Sequence, residues 1–70
     1  MAEVLAPMAG KVIEIKVNVG DVIKEDDEVA VIEAMKMEMP IITYTDGTVK
    51  EIRVSKGDSV EADQVLMIVE

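Results

Sequence analysis

Lys36 stands at the midpoint of a 70-residue chain, inside Glu33-Ala34-Met35-Lys36-Met37-Glu38. A primary amine on a short connector is a nucleophile that another enzyme can acylate. An unperturbed lysine has a pKa of about 10.4, so near neutral pH only about one in a few thousand is uncharged. The connector offers no evident base to change that, and activation therefore has to come from outside the chain. What the chain must supply is exposure, rigidity and reach, and the four-carbon stem of lysine gives reach. The methionines at 35, 37 and 39 recur at every second position. Met39 is expected on an inward-facing strand face, where methionine fills gaps well. Met35 and Met37 flank the amine and are expected to stay partly exposed, as an apolar contact for enzymes that act on it. Glu33 and Glu38 either orient the segment against basic residues of such an enzyme or serve solubility alone, and the sequence favours neither reading.

Other chemistries are excluded by composition. With no cysteine and no histidine, the chain has no disulfide, no thiolate nucleophile, no Ser-His-Asp apparatus and no typical zinc site. The acidic run Glu25-Asp26-Asp27-Glu28 lacks the alternating ligands and following glycine of a calcium loop, and reads as a solvated turn. No catalytic residue and no metal ligand is assigned. Lys11, Lys16, Lys24, Lys50 and Lys56 read as ordinary surface residues.

The elements that position Lys36 come from a duplication. When residues 4–33 are laid on 41–70, nine of the 30 pairs are identical and no gap is needed. The identities are Gly10/Gly47, Val12/Val49, Glu14/Glu51, Ile15/Ile52, Val17/Val54, Gly20/Gly57, Asp21/Asp58, Asp26/Asp63 and Glu33/Glu70. All four glycines fall into repeat pairs, as tight turns used twice would require. Val and Ile dominate the hydrophobic residues, which favours sheet. Ile13–Val17 alternates with period two, as a half-buried strand does, but Val12 and Val49 lie out of that register. A bulge near residues 13–14 and again near 50–51 would return both valines to the core. The apolar runs Val29–Ile32 and Val65–Val69 read as buried strands, and no segment carries a helical stripe.

Two copies of about four short strands predict an all-β domain over residues 1–70, a flattened barrel or sandwich of two four-stranded antiparallel sheets with a pseudo-two-fold repeat. The N- and C-terminal strands should then be neighbours. Residues 34–40, between the copies, are too few for a domain linker and predict a hairpin with Lys36 at or near its tip. Neither Asn-Gly nor Asp-Gly is present, so a tight turn there would strain side chains that carry a Cβ. Local chemistry disfavours this sequence, which points to selection for something other than folding. Pro40 belongs on an outward-facing edge or at the first position of a strand.

Ala34-Met35-Lys36-Met37, with Met8-Ala9-Gly10-Lys11-Val12 and Gly47-Thr48-Val49, resembles the attachment domain of biotin-dependent carboxylases, decarboxylases and transcarboxylase. The resemblance covers essentially the whole chain, repeat included. It implies two four-stranded antiparallel sheets with the lysine on an exposed hairpin. It implies biotin held as an amide on Lys36, installed by a biotin protein ligase, with Glu33, Ala34, Met35 and Met37 as the recognition motif. It also implies a non-catalytic carrier that moves carboxyl groups between biotin carboxylase and carboxyltransferase or decarboxylase partners. A lipoyl carrier resembles this fold and is the nearest alternative. Lipoyl sites usually show Asp-Lys-Ala, where this chain has Met35-Lys36-Met37. An unmodified adaptor module is a further alternative.

Seven basic and 15 acidic residues give a formal charge of −8. That surface repels phosphate backbones and anionic lipid, so nucleic acid and membrane are poor partners, whereas basic protein surfaces are good ones. No apolar run approaches the ~20 residues of a membrane span. The start Met-Ala-Glu-Val has neither the basic end nor the apolar stretch of a signal peptide, so a cytoplasmic location is expected.

Overall fold

The computed structural model describes residues 2–70, which form eight strands and no helix. The strands are β1 (Ala2–Leu5), β2 (Gly10–Ile15), β3 (Val22–Ile23), β4 (Glu28–Ala34), β5 (Met37–Ile42), β6 (Gly47–Ile52), β7 (Ser59–Val60) and β8 (Val65–Val69). They make two four-stranded sheets, ordered β1-β8-β6-β3 and β5-β4-β2-β7, with every pairing antiparallel. A shift of 37 residues turns β1 into β5, β2 into β6, β3 into β7 and β4 into β8. The same shift, read in both directions, converts one sheet order into the other. Each sheet therefore mixes strands from both copies, as the repeat predicts, and β1 lies beside β8.

The symmetry reaches individual hydrogen bonds. Gly20 N donates to Val49 O and Gly57 N to Val12 O, at 2.8 and 2.7 Å. Val49 N donates to Asp21 O and Val12 N to Asp58 O, both at 2.8 Å. These four bonds tie each copy's Gly-Asp turn to a central strand of the other copy, β6 or β2. Inside each turn an aspartate side chain holds the backbone: Asp21 Oδ2 accepts from Asn18 N and Asp58 Oδ2 from Ser55 N, each at 2.9 Å. Gly20 and Gly57 adopt φ of 97° and 96°, and a Cβ at either position would meet nothing within 4 Å, so backbone conformation rather than space requires glycine there.

The bulges fall where the valine register requires them. Pairing shifts between Val12 and Glu14 and between Val49 and Glu51, and both valines are buried. The bulge moves the strand boundaries from those read in the sequence. β2 starts at Gly10 and ends at Ile15, so Lys16 and Val17 lie beyond it, although Lys16 N still donates to Val29 O. The core is aliphatic: Val12, Val29, Ile32, Val49, Leu66, Met67 and Val69 lead it, and Ile15, Val17, Met39 and Ile52 pack around them. It holds together two sheets in which, among the described residues, only β4 and β5 are both consecutive and paired.

Because the two turns are symmetry mates, Gly20→Ala and Gly57→Ala should each cost about 1–2 kcal/mol, the scale for forcing a Cβ into left-handed backbone. Urea unfolding should give similar midpoint shifts for the two variants. A large effect at only one site would show that the turns are not equivalent.

Candidate functional site: the β4–β5 hairpin

β4 and β5 pair from Glu28↔Ile42 to Ala34↔Met37, leaving only Met35 and Lys36 as the loop. The seven-residue connector expected from sequence is thus mostly strand, with a two-residue turn at its apex. Met35 and Lys36 have φ of 53° and 64°. Positive φ at both central residues is the geometry of the type I′ turns that suit the twist of a two-residue hairpin, and it favours Asn-Gly. A methionine and a lysine there carry the Cβ strain expected from their types.

The register sorts the flanking side chains. Ala34 and Ile32 point into the core, with Met39 half-buried opposite Ile32. Met35 is 84% exposed and Met37 66%, more open than the partial exposure expected from sequence. Glu33 and Glu38 are exposed and face each other across the hairpin, and Lys11 of β2 is registered on the other side of Glu33. Two like charges directly opposite weaken a sheet slightly. Pro40 lies inside β5, opposite Val31, and β5 is an edge strand, the place in a sheet where proline is tolerated. Lys36 is exposed, and among the described residues its Nζ makes no ion pair or hydrogen bond.

Gly10 sets how closely the hairpin can lie against the body. A Cβ on Gly10 would come 2.6 Å from Glu33 O and 3.3 Å from Ala34 Cβ. Its mate Gly47 bears the same relation to the chain end, where a Cβ would meet Val69 Cγ1 at 2.7 Å and Glu70 O at 2.9 Å. Sequence reasoning paired these glycines but did not assign Gly10 to the site. Its repeat partnership, alongside that of Glu33 with Glu70, was the signal available.

The geometry is thus an unpaired primary amine at the apex of a two-residue turn, on a strand pair anchored in the core. Over residues 2–69 the chain matches the family model described as biotin-requiring enzyme. The chain is a biotinyl domain of that family. It is 43% identical over 60 residues to the biotin/lipoyl attachment protein of Bacillus subtilis, covering 86% of this chain and 82% of that one. It is 42% identical over 64 residues to the biotin carboxyl carrier protein of Streptococcus mutans, covering 91% of this chain and 49% of the relative. The biotinyl domain thus spans about half the length of that carrier protein. The urea carboxylase of Kluyveromyces lactis contains a region that superposes with a TM-score of 0.92 at 30% identity, over 99% of this chain and 6% of that one. Family membership implies covalently held biotin, and the hairpin suits it: Lys36 Nζ is open to solvent, and no side chain among those described must move to free it.

If function, rather than folding, fixes the turn residues, the double variant Met35→Asn, Lys36→Gly should be the more stable protein, by about 1–2 kcal/mol. Thermal or urea unfolding checks this. Equal or lower stability would mean that the present turn carries no strain.

Proposed function

We propose that Lys36 Nζ is the attachment point for biotin and that the domain carries carboxyl groups between two active sites on partner proteins. The observation that supports this most directly is a lysine held in left-handed backbone at the apex of a two-residue turn. A biotin protein ligase would present the carboxyl of biotin as an acyl adenylate. Nζ, having lost its proton, attacks the acyl carbon, the new C–N bond forms and AMP leaves. The attached group supplies a ureido nitrogen able to hold CO2. The domain's own residues do the mechanical work. The core-facing Ala34, Ile32 and Met39 fix the hairpin to the sheet. The Met35-Lys36 turn aims the amine outward. Met35 and Met37 offer the apolar surface by which the ligase and the carboxylase would recognise the tip, and Glu33 gives that surface a charged flank. On this reading the domain carries the carboxyl group and its partners catalyse the transfer. Its partners on this reading are the ligase, a biotin carboxylase and a carboxyltransferase or decarboxylase. A charge of −8 suits docking to basic rims and disfavours nucleic acid or membrane. A cytoplasmic site of action belongs to the same proposal.

With biotin, ATP and ligase, intact mass should rise by one biotin less one water, and Lys36→Arg should abolish the gain. Met35→Ala and Met37→Ala should remain folded and lose about tenfold in ligase kcat/KM, as loss of a partly buried methionine contact allows. A modified Lys36→Arg protein, or a lipoyl adduct formed in place of biotin under ligase excess, would defeat this reading.

The two glycine mates separate positioning from stability. Gly10→Ala and Gly47→Ala should both destabilise the fold, because each Cβ meets backbone. Only Gly10→Ala should slow biotinylation of the folded fraction, since only it displaces the strand end that carries Lys36. Equal ligase kinetics for both would remove Gly10 from the site.

A further inference from the structure

Across residues 4–33 and 41–70 the pseudo-two-fold gives each surface position a mate in the other copy, so differences between mates reveal what folding does not require. The largest difference lies at the base of the β4–β5 hairpin. Residues 24–28 with Asp46 hold five carboxylates and one lysine, whereas their mates, 61–65 with Ala9, hold two carboxylates and no base. The scaffold does not need this charge. Asp27 Oδ2 accepts from Lys24 N at 2.9 Å, and at the mate position the uncharged Gln64 accepts from Glu61 N at the same distance. Glu28 is taken up by Lys16, whose Nζ donates to it at 2.9 Å. That bond and the carboxylate's charge raise the lysine's pKa above its ordinary value. Glu25, Asp26, Asp27 and Asp46 have no such cation among the described residues, and all four are exposed.

This acidic corner is fastened to an apolar groove. Asp26 N donates to Thr43 O at 2.9 Å and Thr43 N to Asp27 O at 3.0 Å, and Asp46 Oδ1 caps Glu25 N at 2.7 Å. The groove, of about 290 Å³, runs between Ala2–Leu5 and residues 42–45. Its exposed apolar side chains are Leu5, 42% accessible, and Tyr44, 84% accessible. Both strands beside it, β1 and β5, are sheet edges with one side of the backbone unpaired. The volume suits one or two side chains and is small for a cofactor site. From Met37 to Ile42 the strand climbs about 17 Å, so the groove is remote from the amine.

We propose that this groove is a second docking surface, for an extended lysine- or arginine-bearing segment of a partner protein. An apolar side chain of the segment lies over Leu5 and Tyr44. Its cations meet Glu25, Asp26 and Asp46 and the face of the Tyr44 ring. Charge complementarity selects this occupant over an acidic peptide or a second copy of a chain that itself carries −8. Docking at the base leaves the Lys36 tip free to move between active sites.

Tyr44 is the sole aromatic residue of the chain, so its fluorescence reports on this surface alone. The probe is a synthetic hexapeptide of alternating lysine and leucine, with glutamate–leucine and lysine–glycine peptides as comparisons. The lysine–leucine peptide should change Tyr44 emission saturably and shift the backbone amides of residues 2–5 and 42–46. Glu25→Gln with Asp26→Asn should weaken it about fivefold, as two partly screened charges allow. The mate variant, Glu61→Gln with Asp63→Asn, removes the same charge and should leave binding unchanged. The rate of Lys36 biotinylation should be the same in both variants. Equal weakening by both, equal binding of either comparison peptide, or amide shifts centred on residues 35–38 would overturn the proposal. So would Tyr44 emission that follows protein concentration in a sample sedimenting as a dimer, because the occupant would then be a second copy.

Discussion

Four backbone hydrogen bonds hold this domain in register with itself: Gly20 and Asp21 with Val49, and Gly57 and Asp58 with Val12. Each joins a turn of one copy to a central strand of the other. Val12 and Val49 each give both backbone groups to a turn, and the bulge that follows each of them resets the pairing with the neighbouring strand. A chain of 70 residues buries a limited core, so a fold of this size depends on satisfying its backbone through such cross-links. The aliphatic core fills the space that these bonds enclose.

The same constraint explains why the hairpin apex can be strained. Six registered pairs from Glu28↔Ile42 to Ala34↔Met37, with β2 beyond them, fix the ends of the Met35-Lys36 turn. Two residues in left-handed backbone cost on the order of a few kcal/mol together. The turn persists because the strands on either side determine its path. Strain confined to two residues on a stiff support keeps the amine at one place, as the proposed acylation by a partner enzyme requires.

Much of this was legible in the sequence, through the repeat above all. The glycine pairs, the bulged valines and the apolar runs are periodic features, and periodicity survives in one dimension. The placement of Lys36 at a hairpin tip followed from the spacing of the two copies. The strand limits were less legible. Ile13–Val17 alternates like a strand, yet pairing runs from Gly10 to Ile15, because the bulge absorbs Ile13 and shifts the ladder toward the glycine. The close approach of Gly10 to Glu33, the openness of Met35 and Met37, and the groove beside Tyr44 depend on contacts between segments distant in sequence. A glycine that allows a turn and a glycine that makes room for a neighbour look alike until the neighbour is placed.

The exchange of strands between copies bears on ancestry. Sheet β1-β8-β6-β3 takes two strands from each half, and so does its mate. Neither half alone could complete a sheet, so a single-copy precursor of about half this length would have had to assemble as an intertwined homodimer. In that dimer, chain ends would have stood at both places now occupied by the Met35-Lys36 turn and by the Ala2/Val69 pair. Joining two such copies end to end would make the seam the very segment that carries the amine.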